Sequence, residues 1–137
     1  MDMTNDKAQA ILVENFAPWV QALGLRVCAV GPREATLRLP HGPALERVGA
    51  IVCGQALMAA ADTAMVIAIS SALGGFRPMA TVGQTISFFR PLAGRDALVT
   101  ARILKLGRSL VFGEIDLRAE GAEEAAAHAT TTYALAG

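Results

Sequence analysis

An almost unbroken apolar run from Val48 to Leu73 constrains the fold of this chain more than any other feature of its sequence. The strongly polar side chains within the run are those of Gln55, Asp62, Thr63, Ser70 and Ser71. About twenty apolar residues are enough to span a membrane as a helix. However, an acid near the centre of such a span, as Asp62 is here, costs roughly 2.5–3.5 kcal/mol on insertion scales. The run therefore predicts a buried core helix from about Gly54 to Leu73, and no membrane span.

The rest of the sequence predicts one more helix and a series of strands. Thr4 can cap a first helix from about Asn5 to Leu23, which Pro18 restarts or kinks because a mid-helix proline removes a hydrogen bond. The predicted strands cover Leu25–Val30, Ala35–Leu39, Thr81–Arg90, Ala97–Leu106, Leu110–Ala119 and about Ala125–Leu135.

Apolar and polar residues alternate along the later strands, as they do in half-buried strands. In the first of these strands, Val82, Ile86 and Phe88 are predicted to share one face, opposite Thr81 and Thr85. Because consecutive strands joined by hairpins must be antiparallel, four such strands after the helix predict an α+β fold. A helix that is apolar on nearly every side has to be surrounded, and one sheet can do this by curling around it.

The balance of positive and negative charge argues against two classes of binding partner. Twelve Lys and Arg residues balance twelve Asp and Glu residues, so neither nucleic acid nor an anionic membrane is an expected partner. Hydrophobic residues make up 53% of the 137 residues, enough for one domain over residues 1–137 and for a surface buried against another subunit. Two cysteines are too few for a disulfide scaffold, and the polar N-terminus does not resemble a signal peptide. These features predict a cytoplasmic protein.

Three segments in this order resemble a known enzyme family: Gly49–Ala64, Thr81–Pro91 and Lys105–Arg108. They are similar to the hotdog-fold acyl-CoA thioesterases of the phenylacetate-degradation (PaaI-like) type. In that family a His-Gly-Gly turn opens the central helix, an acid follows the His by nine residues, and the next strand ends in an Arg-Pro segment. Here Cys53 stands in place of the usual His and Gln55 in place of the second Gly, whereas Gly54 and Asp62 match.

The resemblance implies a hotdog fold, in which a curved antiparallel sheet wraps a long central helix, and it implies three catalytic residues. Asp62 would act on the thioester as general base or as nucleophile, and an acid in an apolar helix is costly to keep without a role. The Gly54 N–H at the helix start would hold the oxyanion, because a helix N-terminus offers unpaired N–H groups. Thr81 matches a Ser or Thr that helps to position the attacking water.

Further residues are candidates for substrate binding. Arg90, Gly107 and Arg108 would meet the phosphates of coenzyme A, which arginine can bind bidentately. Cys53 and Gln55 lie at the helix start. We interpret Cys53 as a packing residue and not as a nucleophile, because neither histidine lies in a Cys–His motif. Two histidines are also too few for a metal site, and the only cofactor implied is the coenzyme A of the substrate.

The sequence thus predicts a thioesterase that hydrolyses an acyl- or aryl-CoA, with the acyl preference left open. The alternative is a non-catalytic acyl-CoA-binding or regulatory hotdog module, which the replaced His and Gly favour. Gly54 and Asp62 are eight residues apart, about 12 Å along one helix, which is too far for both to act on one carbonyl. We therefore predict a homodimer, or a dimer of dimers, whose sites are shared between subunits.

Overall fold

A six-stranded antiparallel sheet and one long helix dominate the computed structural model, which describes residues 2–136. The helices are Asn5–Asn15 (α1), Pro18–Gln21 (α2) and Gly54–Leu73 (α3), with a 3-10 turn at Pro43–Leu45. The strands are Arg26–Gly31 (β1), Glu34–Leu39 (β2), Glu46–Arg47 (β3), Ile51–Val52 (β4), Met79–Phe88 (β5), Ala97–Leu106 (β6), Leu110–Ala119 (β7) and Ala127–Leu135 (β8). The predicted α+β hotdog architecture is confirmed.

The central helix α3 has the bounds that the apolar run predicts. It ends where Gly74 adopts the left-handed conformation, with φ of 79°. Its buried hydroxyls bond within the helix: Thr63 donates to the Ala59 carbonyl and Ser70 to the Val66 carbonyl, each at 2.8 Å. Within residues 2–136, α3 is the one helix long and apolar enough to cross a membrane. Most of it is buried in the core of the fold.

The strand order of the main sheet is β1-β2-β6-β7-β8-β5. All neighbours are antiparallel, as predicted, but β5 pairs with β8 and not with β6. The prediction that β5 and β6 form a hairpin is therefore wrong. The chain leaves β5 through Pro91, which cannot continue a ladder, and crosses to the middle of the sheet before β6 begins. This crossover makes β5 an edge strand.

The single first helix predicted from Asn5 to Leu23 is divided in two. Pro18 is the first residue of α2, which confirms the expected restart. Ala17 precedes the proline and is held out of the helical region, with ψ of 149°. The Gln21 side chain donates to the Phe16 carbonyl at 2.8 Å and so satisfies a group that the break leaves unpaired.

The two edges of the sheet differ. Side chains of α1 cover β1: Gln9 bonds both the Leu25 carbonyl and the Val27 N–H, and Asn5 donates to the Cys28 carbonyl. No comparable cover lies over β5, most of whose residues are exposed, as far as residues 2–136 show. Its sequence, MATVGQTISF, contains neither a charge nor a proline. Native edge strands usually carry such groups to prevent pairing with another chain.

A β-bulge in β5 changes which residues face the helix. The register of β5 against β8 shifts between Thr81 and Gly83, so Val82 is the extra residue. Val82 is 63% exposed. The prediction that it shares a face with Ile86 and Phe88 is therefore wrong. Because of the bulge, Thr81 faces α3, and its hydroxyl can reach Asp62.

Candidate active site

Two cavities border the central helix at different points along its length. The first, here the N-terminal cavity, has a volume of about 410 Å³ and surrounds the start of α3. It is lined by Arg47, Ile51, Val52, Gly54, Leu57, Phe88, Phe89, Arg90, Pro91 and Leu92. The second, here the Asp62 cavity, has a volume of about 340 Å³. It is lined by Phe16, Trp19, Val20, Gln55, Met58, Ala59, Asp62, Thr63 and Gln84.

The N-terminal cavity suits an anionic group. Cys53 is the N-cap of α3, and its side chain caps no backbone N–H, so the first N–H groups of the helix remain available. Gly54 lies against Phe88, where an added Cβ would be 3.2 Å from the ring. Arg47 and Arg90 add positive charge on two sides of the cavity. The sequence analysis assigned no binding role to Arg47, which stands where related enzymes have an Asn and lies in β3.

The other predicted coenzyme A residues lie elsewhere in the single chain. Gly107 and Arg108 form the β6–β7 turn and line neither cavity. Gly107 has a structural reason to be glycine, because an added Cβ would lie 2.6 Å from the Leu110 carbonyl oxygen. Arg90 lines the N-terminal cavity as predicted, and its guanidinium also pairs with the exposed Glu124.

Asp62 opens into a largely apolar cavity and is held from two strands. Thr81 donates its hydroxyl to the Asp62 Oδ1 at 2.9 Å, a contact that the bulge in β5 makes possible. Tyr133 of β8 donates to the same carboxylate oxygen and also reaches the Asp62 carbonyl at 2.8 Å. Gln55 lines the same cavity, as its spacing of seven residues predicts. The structure thus brings together Asp62, Thr81 and Gln55.

Tyr133 is the polar residue of this cluster that the sequence analysis missed. It is 1% exposed, and burial together with the neighbouring Asp62 carboxylate raises its pKa, so the hydroxyl stays protonated and donates. Its place follows from the pairing of β5 with β8, which sets Tyr133 opposite Thr81. A buried tyrosine hydroxyl needs a partner, and the only tyrosine in the chain would have been the signal to follow.

Within residues 2–136, no hydrogen bond joins Cys53 to either histidine. Cys53 lines a third cavity, of about 290 Å³, that Trp19 of α2, Leu23 and Leu45 also border. His41 bonds Asp96 at 2.7 Å and His128 bonds Glu114 at 3.1 Å, so both rings are engaged with carboxylates. Over residues 2–136, no group of three or more His, Cys, Asp or Glu side chains is placed to hold a metal ion.

Gly54 and Asp62 therefore open into different cavities of the same chain. The helix between them is unbroken, so their separation of about 12 Å along its axis holds in the folded protein. One cavity offers helix N–H groups and positive charge, and the other offers a carboxylate in apolar surroundings. Together they could polarise a carbonyl and activate a nucleophile, provided that both reach the same bond.

Comparison with known proteins shows which family and which solved structures this chain resembles. The model of the thioesterase superfamily matches residues 49–126, more than half of the chain. A solved structure of a putative thioesterase from Silicibacter sp. TM1040 is 34% identical, with a TM-score of 0.88 over 98% of this chain and 93% of that chain.

Two further solved structures share the fold at lower identity. Thioesterase HI1161 from Haemophilus influenzae is 20% identical, with a TM-score of 0.87 over 100% of this chain and 93% of that chain. The PaaI protein from the phenylacetic acid degradation operon of E. coli is 21% identical, with a TM-score of 0.83 over 98% and 97%. A comparison with curated proteins gave no match.

Proposed function

Because this chain belongs to the thioesterase superfamily, we propose that it hydrolyses an acyl- or aryl-CoA thioester with water to the free acid and coenzyme A. The observation that carries this proposal is the Asp62 carboxylate, which opens into an apolar cavity and is held there by Thr81 and Tyr133. An acid in such surroundings, on the same helix as an uncapped N-terminus, suits acyl transfer.

In the proposed reaction, the Gly54 N–H binds the thioester carbonyl oxygen and stabilises the oxyanion. As general base, Asp62 takes a proton from water while the hydroxide adds to the carbonyl carbon. The C–S bond then breaks, and the coenzyme A thiolate leaves and receives that proton. As nucleophile, Asp62 would instead attack the carbonyl carbon, and the C–S bond would break with loss of the coenzyme A thiolate. Water would then hydrolyse the acyl-aspartyl anhydride to the free acid and the Asp62 carboxylate, and the proton released would pass to the thiolate. Thr81, which bonds the carboxylate, would help to orient the water.

The two roles of Asp62 leave different isotope patterns. With enzyme in excess and a single turnover in H₂¹⁸O, the general-base route places ¹⁸O only in the released acid. The nucleophile route leaves ¹⁸O in Asp62 after water attacks the anhydride at the aspartyl carbon. Mass spectrometry of the peptide that contains Asp62 therefore detects the nucleophile route with attack at the aspartyl carbon, whereas attack at the acyl carbon would label only the acid, as the general-base route does.

The site is proposed to be shared between two copies of the chain. Gly54 and Asp62 are too far apart on α3 to act on one carbonyl, since reacting atoms must approach to about 3–3.5 Å. The uncovered, uncharged edge of β5 offers a surface for pairing with the same strand of a second copy around a two-fold axis. This pairing would bring the N-terminal cavity of one protomer toward the Asp62 cavity of its partner, in a dimer or in a dimer of dimers.

Each cavity then receives one part of the substrate. Phe16, Val20 and Met58 make the Asp62 cavity the site for the acyl or aryl group. Arg47 and Arg90, with the helix N-terminus, are suited to the phosphates of coenzyme A. Gly107 and Arg108 remain candidates for coenzyme A contacts from the partner subunit. A cytoplasmic location, where coenzyme A is available, fits the two free cysteines.

A panel of acyl- and aryl-CoA substrates with detection of released thiol tests the proposal. We expect turnover by the wild-type protein and a loss of roughly 100-fold or more in Asp62→Asn, the scale of a general base. Asp6→Asn, at the exposed start of α1, is the matched control and should retain full activity. An active, correctly folded Asp62→Asn variant would exclude this mechanism.

The second candidate is a non-catalytic acyl-CoA-binding or regulatory module. It is favoured by Cys53 and Gln55, which replace the His and Gly of the related enzymes. Calorimetric binding of acyl-CoA without release of thiol over the whole panel would support the module and reject the enzyme.

A further inference from the structure

The hydroxyl of Tyr133 makes more contacts than its burial requires. A buried hydroxyl needs one partner, and the Asp62 carbonyl at 2.8 Å already supplies it. The single hydrogen of Tyr133 is nevertheless shared between that carbonyl and Asp62 Oδ1, the carboxylate oxygen that Thr81 contacts. Both donors therefore lie on one oxygen. Over residues 2–136, Oδ2 has no hydrogen-bond partner, while the side chain borders the Asp62 cavity.

This arrangement makes the two carboxylate oxygens unequal. Oδ1 is fixed between β5 and β8, whereas Oδ2 is the oxygen free to accept a proton or to attack. The fixing side chain is rigid, because Tyr133 is 1% exposed and lies within a ladder paired on both sides. The backbone of Asp62 is tied to the same hydroxyl, so the orientation of the side chain relative to α3 is set as well.

We propose that Tyr133 is a positioning residue for the reaction: it orients the Asp62 carboxylate so that Oδ2 faces the substrate. This inference rests on the proposed thioesterase function and goes beyond it, since it assigns the orientation of the acid to a residue outside the segments that resemble the family. Tyr133 is 1% exposed and does not line the Asp62 cavity. Its effect on turnover passes entirely through Asp62.

Kinetics of Tyr133→Phe test the proposal. Phe keeps the ring and removes only the hydroxyl, so we expect kcat to fall by about 10-fold or more, the scale of a hydrogen bond to a charged group. KM should change less than two-fold. The control is Thr131→Val, which removes a buried hydroxyl on the same strand that has no hydrogen-bond partner. The control should match wild type in kcat, and an unchanged kcat in Tyr133→Phe would overturn the proposal.

A double mutant separates positioning from a general loss of packing. If Tyr133 acts only through the carboxylate, Tyr133→Phe should not lower the residual turnover of Asp62→Asn any further. A further fall by the same factor as in the wild-type background would show that Tyr133 acts by another route, and would reject the proposal.

A measurement without substrate keeps this test distinct from that of the proposed function. Because Tyr133 is the only tyrosine, tyrosine labelled with ¹³C at Cζ gives one resonance. We expect this resonance to shift in Asp62→Asn and to stay in place in Asp6→Asn. If the shift occurs but wild type hydrolyses no thioester, the proposed function fails while the contact stands. If wild type is active and the resonance does not respond to Asp62→Asn, the positioning role is wrong.

Discussion

At the residue scale, the central fact is a carboxylate in a helix that is otherwise apolar. The cost of burying an acid makes Asp62 conspicuous in the sequence alone, and the resemblance adds Gly54 and Thr81. The contact between Thr81 and Asp62 depends on the bulge at Val82, whose local signal, the isolated glycine Gly83 inside the strand, the sequence analysis did not use. Tyr133 could have been a candidate as the only tyrosine, but its partner could not be predicted, because Asp62 is 71 residues away and only the sheet pairing brings the two together.

Cys53 is predicted to be dispensable for chemistry. It is the N-cap residue of α3 and borders the third cavity, and neither His41 nor His128 hydrogen-bonds to it. Cys53→Ala should retain most of the wild-type kcat/KM, measured by thiol release. Intact-mass analysis after a single turnover should detect no acyl adduct on Cys53. An inactive but well-folded Cys53→Ala protein with a trapped acyl-thiol on the wild type would reverse this assignment.

Asp96 is predicted to make stability depend on acid pH. Its carboxylate accepts hydrogen bonds from the side chain and backbone N–H of His41 and from Arg38, which lower its pKa to about 2. Since the unfolded chain binds this proton more tightly, the stabilisation is present above about pH 4 and disappears as the pH falls toward 2.

The measurement is the thermal midpoint of wild type and Asp96→Asn between pH 6 and pH 2. Wild type should be the more stable at pH 6, and the difference should shrink steadily toward pH 2. Asp2→Asn, near the exposed N-terminus, serves as the control. A difference in midpoint that is constant over this range would contradict the prediction.

At the element scale, the sheet packs closely against α3, and at one position on a strand there is no room for any side chain. α3, β6 and β7 have the bounds predicted from hydrophobic patterning. Burial alternates along β6 and β7 as their sequences do, and α3 is apolar and buried along most of its length. The partner of β5 could not be predicted. Several strands of similar length and pattern could pair with it, and the choice depends on how the whole sheet curls around the helix.

Gly113 of β7 marks the closest approach to the helix. An added Cβ there would lie 2.7 Å from the sulfur of the fully buried Met65 and 3.0 Å from the Arg102 carbonyl oxygen. Gly113→Ala should therefore destabilise the fold by about 1–3 kcal/mol, the usual cost of overpacking.

Chemical denaturation of the single and double variants measures this overlap. Met65→Leu removes the terminal methyl group, the atom nearest the new Cβ, so Gly113→Ala should cost less in the Met65→Leu background. Equal costs in both backgrounds would show that the carbonyl of Arg102, and not Met65, limits the space.

The short helix α2 is predicted to set the length of acyl chain accepted. Trp19 borders both the Asp62 cavity and the third cavity, and it is 63% exposed, so little packing holds it in place. If the Asp62 cavity holds the acyl group, Trp19→Ala would join the two spaces and shift the preference toward longer acyl chains. The same thioester panel measures this, with Val13→Ala, an exposed apolar residue of α1 that lines neither cavity, as control. An unchanged chain-length profile would contradict the role.

At the scale of the whole molecule, the proposed reaction needs a site shared between two copies of the chain. Complementation tests this directly: one chain carries Asp62→Asn and the other Gly54→Pro, and mixed dimers are formed. Proline is tolerated at the first position of a helix and lacks the N–H, and Cys53 before it already has an extended conformation, with ψ of 150°. Mixed dimers should recover one intact site and up to about half of the wild-type activity, by the symmetry of two equivalent sites.

The parent homodimers of each variant serve as controls and should be inactive. Sedimentation must show that the mixed species are dimers or larger. Inactive mixed dimers with native circular dichroism, or a fully active monomer, would show that each site is built within one chain.

The uncovered edge of β5 also affects the newly synthesised chain, because it can aggregate before it associates with a second copy. An uncharged strand with free N–H and C=O groups is a template for aggregation with any exposed strand. Most proteins guard such an edge with a lysine or a proline, but either residue would also block the pairing that assembles the proposed site. Protection must therefore come from fast association, so the soluble yield should depend on the rate of assembly as much as on the stability of the folded monomer.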